Sequence, residues 1–490
     1  MKIEQFLSHH GIAGDPFSEE DAQTDAVFKR ACLRSIHHPA WTKFFGSPSE
    51  PSTAIVFGEK GSGKTALKLQ AVAELDDYNH VNSDNRVFII AYDDFNPPLD
   101  HLKATLGAKD AADVLKRFRL QDHIDVLLAL GVTKLVDQLI SEAAPLQPLP
   151  PDTKRDLLLL AALYDQSTAE PLHRRWTGLR RRSRFRALWH RKPLWIALLT
   201  TAVVGALAVA IPALRNASGS PMLALGAVAA AWGWLGWHWL QAELRARDLR
   251  AALRVLRRDP SALRSALVWF ESGELSGQPL PRARQTPGEE RYELLRKFQG
   301  VLGALGYRGI VALIDRVDEP QLIEGDPRKM RALVWPLLDH KFLRHPGLGV
   351  KLLLPIELAY YLEKEDKEFY DRARPDKLNM IKPLRWSGPS LYDLATDRLR
   401  ACAKSTTSER APRLRLLIDE GIGDDALKDA LSHLRTPRQL FKFLHRLLEE
   451  HCHRYTEDDP RYTIDADTFR LVYATHMREL DAFDRGFGHG

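Results

Sequence analysis

The chain has 490 residues, 27% of them charged, and a formal net charge of +6, which allows about two to four domains with sizeable cores. Its three cysteines, Cys32, Cys402 and Cys452, lie far apart. That excludes a disulfide framework and a cysteine metal site, and points to a reducing compartment. Met1-Lys2-Ile3-Glu4-Gln5 begins no apolar run, so no secretory signal peptide is expected there.

In chain order, the first strong signal is Ala54-Ile55-Val56-Phe57, a short apolar run that reads as a buried strand. It leads into Gly58-Glu59-Lys60-Gly61-Ser62-Gly63-Lys64-Thr65, which fits G-x-x-x-x-G-K-[ST] at every position. Ala66 to Gln70 then continues as a good helix former. Glycines let such a loop fold until its N–H groups point at phosphate oxygens, and the helix N-terminus adds a favourable dipole. The whole octet is assigned to nucleotide phosphates, with Lys64 reaching the β- and γ-phosphates and Thr65 holding Mg²⁺.

A second strand is expected over Arg86 to Tyr92. Asp93-Asp94 follows it, so this strand could instead carry the acid of a nucleotide site. The loop residues Phe95-Asn96-Pro97-Pro98 favour its reading as the second strand of the sheet.

Two uncharged runs follow, Pro193 to Leu214 and Pro221 to Leu240. Each approaches the about 20 helical residues that span a hydrocarbon core of roughly 30 Å. The short link Arg215 to Ser220 makes them antiparallel neighbours. Arg174, Arg175, Arg180, Arg181, Arg182, Arg184, Arg186, Arg191 and Lys192 precede the pair, and Arg245, Arg247, Arg250 and Arg254 follow it. Trp189, Trp195, Trp234, Trp237 and Trp239 cluster at the same end. By the positive-inside rule this reads as a transmembrane hairpin with both ends cytoplasmic and its arginines on anionic lipid. A buried helical hairpin in a large core, and arginines that touch nucleic acid, are the alternatives; no motif supports nucleic acid.

After an amphipathic stretch from Glu290 to Leu305, Ile310 to Ile314 forms an apolar strand that ends at Asp315. Asp315 is assigned to Mg²⁺ through water, and Asp318 or Glu319 to the attacking water; the spacing does not choose between them. Gly349 to Pro355 reads as the next core strand and Asn379 to Trp386 as the last. Farther on, Thr436 is a good N-cap and Pro437 a good first helical residue. Leu440, Leu444, Leu447 and Leu448 share one face of that helix. Arg438 occupies its first turn, where the dipole disfavours a cation unless an anion is near.

With these motifs in place, the chain resembles the KAP-type P-loop NTPases, which carry transmembrane segments between the P-loop and the second acidic motif. Asp315-Arg316-Val317-Asp318-Glu319 departs from the adjacent acids of many members and is closer to bacterial AAA+/STAND ATPases. The resemblance implies an arginine finger at Arg372 or Arg374, acting on a neighbouring subunit, and a nucleotide-sensing role for Arg438. It also implies that Asp15-Pro16-Phe17-Ser18 packs near the adenine, and it only weakly supports a polar sensor at Pro355 or Glu357.

The expected architecture is therefore α/β: a P-loop core with a parallel sheet, a helical insertion with the membrane hairpin, and a C-terminal helical or winged-helix-like lid. Residues 1–98 and 290–390 would form the core, 99–289 the insertion and 391–490 the lid. The expected function is Mg²⁺-dependent ATP hydrolysis by a homo-oligomer at the cytoplasmic face of the cell inner membrane, driving conformational change or assembly with an unidentified protein partner. Family analogy alone suggests a bacterial defence or stress system. The rivals are a STAND-type nucleotide-gated switch with slow turnover and an origin-recognition-like ATPase that binds DNA. A scaffold with a degenerate P-loop is disfavoured, because no P-loop position is missing.

Overall fold

A computed structural model describes residues 1–141, 148–185, 192–210, 220–282, 289–404 and 411–487. Five strands form one parallel sheet: β1 (Ala54–Gly58), β2 (Arg86–Tyr92), β3 (Tyr307–Ile314), β4 (Leu348–Pro355) and β5 (Asn379–Ile381), in the order β2-β3-β4-β1-β5. β1 and β4 are buried along their whole length, as expected for parallel strands covered on both faces. The expected last strand is cut short. Pro383 has no N–H for a ladder, and beyond it the chain turns so that the Leu384 N–H donates to the Phe57 carbonyl at 2.7 Å.

The helix Lys64–Val81 covers one face of the sheet through Leu67, Ala71 and Leu75. The other face is buried by helices from the expected insertion and by the helix that leads into β3. Helices Leu120–Ser141, Pro151–Tyr164 and Glu290–Ala304 share one continuous core with Phe57, Phe88, Ile310 and Leu352. Leu120–Ser141 and Pro151–Tyr164 of the expected insertion thus belong to the main core. Buried ion pairs join these helices: Arg291 meets Asp125 at 3.3 Å and Arg175 meets Asp165 at 2.8 Å, while Arg175 also reaches the exposed Asp137 at 2.7 Å. Pairing satisfies charges that burial would otherwise penalise.

The expected membrane hairpin is corrected. Helices Lys192–Ala210 and Ser220–Ala252 form and pack on one another. Among the described residues, however, no helix is long and apolar enough to cross a membrane. The second helix carries Trp232, Trp234, Trp237, His238 and Trp239 among glycines, then Glu243, Arg245 and Arg247; these side chains dilute its apolar character. Residues 211–219, which include the end of the first run and most of the expected link, lie outside the described residues, as do Arg186, Trp189 and Arg191. The expected transmembrane spans and inner-membrane location therefore do not hold for the described residues.

The C-terminal unit has its own core, built from Leu391, Leu399, Leu427, Leu440, Leu444 and Phe469. Phe6, Leu7, Ile12 and Phe17 of the N-terminal segment belong to it as well, so the chain's beginning packs with its end. Among the described residues this unit is helical apart from isolated bridges such as Ile418 with Ile464, and a two-stranded wing is absent there.

Candidate functional site

The loops that leave the carboxyl ends of β1, β3, β4 and the segment after β5 converge on one cavity of about 370 Å³. The carboxyl edge of a parallel sheet, where strand order reverses, is the usual place for a ligand. Here β1 lies between β4 and β5, while the next strand in the chain, β2, lies at the far edge.

From β1 the glycine loop passes directly into the helix Lys64–Val81. Gly61 and Gly63 take φ values of +87° and +94°, which only glycine adopts at little cost. Gly58 is held close: a Cβ there would stand 2.4 Å from Ser62 Oγ. Lys64 Nζ donates to the carbonyls of Gly58 at 2.7 Å and Glu59 at 3.0 Å. Burial lowers the Lys64 pKa, while Asp318, Asp315 and Glu357 oppose the shift.

Thr65 Oγ1 donates to Asp315 Oδ2 at 3.2 Å, across 250 residues of sequence. Asp315 is buried and its own N–H donates to the Tyr92 carbonyl at 3.3 Å. Asp318 and Glu319 both line the cavity. Burial, reinforced by Asp318 and Asp315, raises the Glu319 pKa, and the Arg316 guanidinium at 3.3 Å opposes the rise.

The C-terminal unit closes the other wall. Thr436 caps the helix Pro437–Arg454 by accepting from Gln439 N–H at 3.3 Å. That brings Arg438 onto the glycine loop, with its N–H directed at the Gly61 carbonyl at 3.4 Å. Ser62 Oγ, Arg316 Nε and Arg438 Nε are buried without hydrogen-bond partners. Buried polar groups are normally satisfied, so these orphans suit an anionic ligand with several acceptor oxygens. Phe28, Cys32, Ile36, Leu67, Leu394 and Phe441 also line the cavity and give it apolar surface.

Of the expected site residues, Lys60, Gly61, Ser62, Gly63, Lys64, Thr65, Asp315, Asp318, Glu319 and Arg438 line this cavity. Gly58 and Glu59 support it through the Lys64 contacts. Arg372 and Arg374 do not line it. Arg372 lies over the Phe369 ring, and Arg374 caps its helix with φ +43°. Asp15-Pro16-Phe17-Ser18 also lies outside the cavity, and the later stretch from Glu20 to His38 supplies that wall.

Several lining residues carried no signal in the sequence. Arg398 is buried against Asp25 at 2.6 Å. Trp386 donates its indole N–H to the Ser62 carbonyl at 2.9 Å. Arg316 holds a left-handed backbone, φ +62°, directly after the buried acid; such strain is characteristic of functional sites.

Among the described residues, no three His, Cys, Asp or Glu side chains form a metal cluster. Mg²⁺ needs none, since it takes one or two carboxylates and completes its shell with water and phosphate. The Thr65 hydroxyl and the Asp315 carboxylate form a hard oxygen pair that fits such an ion. Comparison with protein-family models, characterised proteins and solved structures gives no match.

Proposed function

We propose that the chain binds ATP with Mg²⁺ at this cavity and hydrolyses it. One observation carries the reading: Lys64 and Thr65, Asp315 and Arg438, from three distant parts of the chain, meet at one cavity beside a helix N-terminus, and apolar side chains also line that cavity. The cations and the helix N-terminus suit a triphosphate, and the apolar lining suits a nucleobase. Thr65 and Asp315 would hold Mg²⁺, which supplies charge neutralisation at the phosphates. Lys64 and Arg438 stabilise charge on the phosphoryl oxygens. Asp318 or Glu319 accepts a proton from water as its oxygen bonds to the γ-phosphorus, and the bond from that phosphorus to the bridging oxygen breaks to leave ADP.

Arg372 and Arg374 are exposed and away from the cavity of their own chain, so a finger role for either requires a second copy. The resemblance to KAP-type and AAA+/STAND proteins belongs with this proposal and rests on the motifs. ATP turnover by purified protein tests it. Lys64→Ala should abolish turnover, and unchanged turnover in that variant would overturn the reading.

A nucleotide-gated switch is the second reading. It is favoured by the common core of the N-terminal segment and the C-terminal unit, where Phe17 stacks on Phe441, because nucleotide release would require both walls to move together. A single slow turnover with retained ADP would favour it over a multiple-turnover enzyme.

A further inference from the structure

β2 and β3 run side by side in register, with Tyr92 opposite Ile314. The next residues, Asp93 and Asp315, therefore leave neighbouring strand ends together. Lys68 lies one turn after Thr65 on the Lys64–Val81 helix, on the same helix face. Its Nζ contacts Asp93 Oδ2 at 2.8 Å and Asp315 Oδ2 at 3.6 Å. The Lys68 and Asp315 side chains are 5% and 3% exposed, and Asp93 is 37% exposed. Asp315 Oδ2 is also the atom that accepts from Thr65 Oγ1. One buried cation thus spans two carboxylates, only one of which faces the cavity.

We propose that Lys68 and Asp93 are positioning residues that set the metal affinity of Asp315, an inference that rests on the Mg²⁺–nucleotide reading above. Lys68 sits beside Oδ2 of Asp315, the oxygen that faces Thr65. Asp93 draws the ammonium away, so that the shorter contact is to Asp93 and Asp315 keeps negative charge for a divalent ion. If Asp93 were neutral, Lys68 would belong wholly to Asp315 and compete with Mg²⁺ for the same oxygen. Asp93 is then not a rival to Asp315 as the metal acid but its electrostatic partner.

The test uses the full chain, a fluorescent ATP analogue and graded Mg²⁺, reading the Mg²⁺ concentration at half-maximal binding together with each variant's melting temperature. Asp93→Asn should raise that midpoint about tenfold, within the range for outer-shell partners of metal ligands. Asp93→Glu should restore it. Lys68→Met combined with Asp93→Asn should bring it back to the wild-type value or below, because the competing cation is gone and the side-chain volume is kept. An unchanged midpoint in Asp93→Asn, with or without a lower melting temperature, overturns the proposal, as does a double variant no better than Asp93→Asn. Wild-type binding that ignores Mg²⁺ overturns it while leaving nucleotide binding intact; wild-type protein that binds no analogue overturns the nucleotide reading and this proposal with it.

Discussion

Arg438 packs its side-chain stem against Gly61 so closely that a Cβ on Gly61 would stand 2.6 Å from the Arg438 Cβ. The glycine loop and the C-terminal unit therefore fit together only because position 61 has no side chain. Gly61→Ala should both clash with Arg438 and force an L-residue into the left-handed region, which costs about 1–2 kcal/mol. The expected outcome is loss of ATP binding with a small fall in melting temperature, checked by titration and thermal unfolding. Normal ATP affinity in Gly61→Ala would show that this contact does not shape the site.

Arg438→Ala removes a cation from the cavity wall without disturbing the Thr436 cap. A charge-assisted contact to phosphate contributes about 1.5–3 kcal/mol, so the Kd for ATP should rise about 10- to 100-fold. Affinity for adenosine, which lacks the phosphates, should stay unchanged. Equal losses for both ligands would mean that Arg438 acts through folding instead.

The two acids after Asp315 should separate by kinetics. Asp318 is the carboxylate with the largest charge influence on Lys64, whereas burial raises the Glu319 pKa beside Arg316. Glu319→Gln should lower kcat by about 10²- to 10⁴-fold, as expected for loss of a general base, and leave ATP affinity intact. Asp318→Asn should chiefly change affinity. Wild-type turnover should decline as pH falls through the raised Glu319 pKa, because only the carboxylate accepts a proton. The opposite pattern in the two variants would exchange their roles.

His123 ties the end of β2 to the insertion. Its Nε2 lies 2.8 Å from the Leu333 carbonyl and its Nδ1 3.2 Å from the Tyr92 hydroxyl. Nε2–H donates to the carbonyl and Nδ1 accepts from the tyrosine, so the ring is neutral. Burial lowers its pKa from 6.5 to about 4, with Asp122 opposing. Between those values the unfolded chain binds a proton that the folded chain does not, so stability falls as pH drops across that interval. The loss reaches about 3 kcal/mol. Urea unfolding of wild type and His123→Gln across the interval should show a shallower slope in the variant; identical slopes would remove His123 as the cause.

Local chemistry made much of this protein readable from its sequence. The loop Gly58–Thr65 between a strand and a helix could be placed because its glycines mark a tight turn, and Gly61 and Gly63 do take left-handed φ there. The strands ending at Gly58, Tyr92 and Asp315 could be recognised because parallel strands buried on both faces must be continuously apolar. Thr436 and Pro437 marked a helix start because orphan N–H groups at that end need an acceptor or a residue without an N–H.

One local pattern misled. The apolar runs near Pro193 and Pro221 matched a membrane pattern in composition. Yet no described helix is long and apolar enough to cross a membrane; the tryptophans and the charged continuation of the second helix are local features that read in sequence as interfacial anchors instead.

The tertiary structure decided which acid meets Thr65: Asp93 and Asp315 both follow strands and both reach Lys68, but it is the buried Asp315 that accepts from Thr65. It also placed Arg438 on Gly61 and left Arg372 and Arg374 outside the cavity. Strand pattern, capping and loop composition act within a few residues and are written locally; the order β2-β3-β4-β1-β5, which brings residue 315 to residue 65, exists only once the whole sheet has paired.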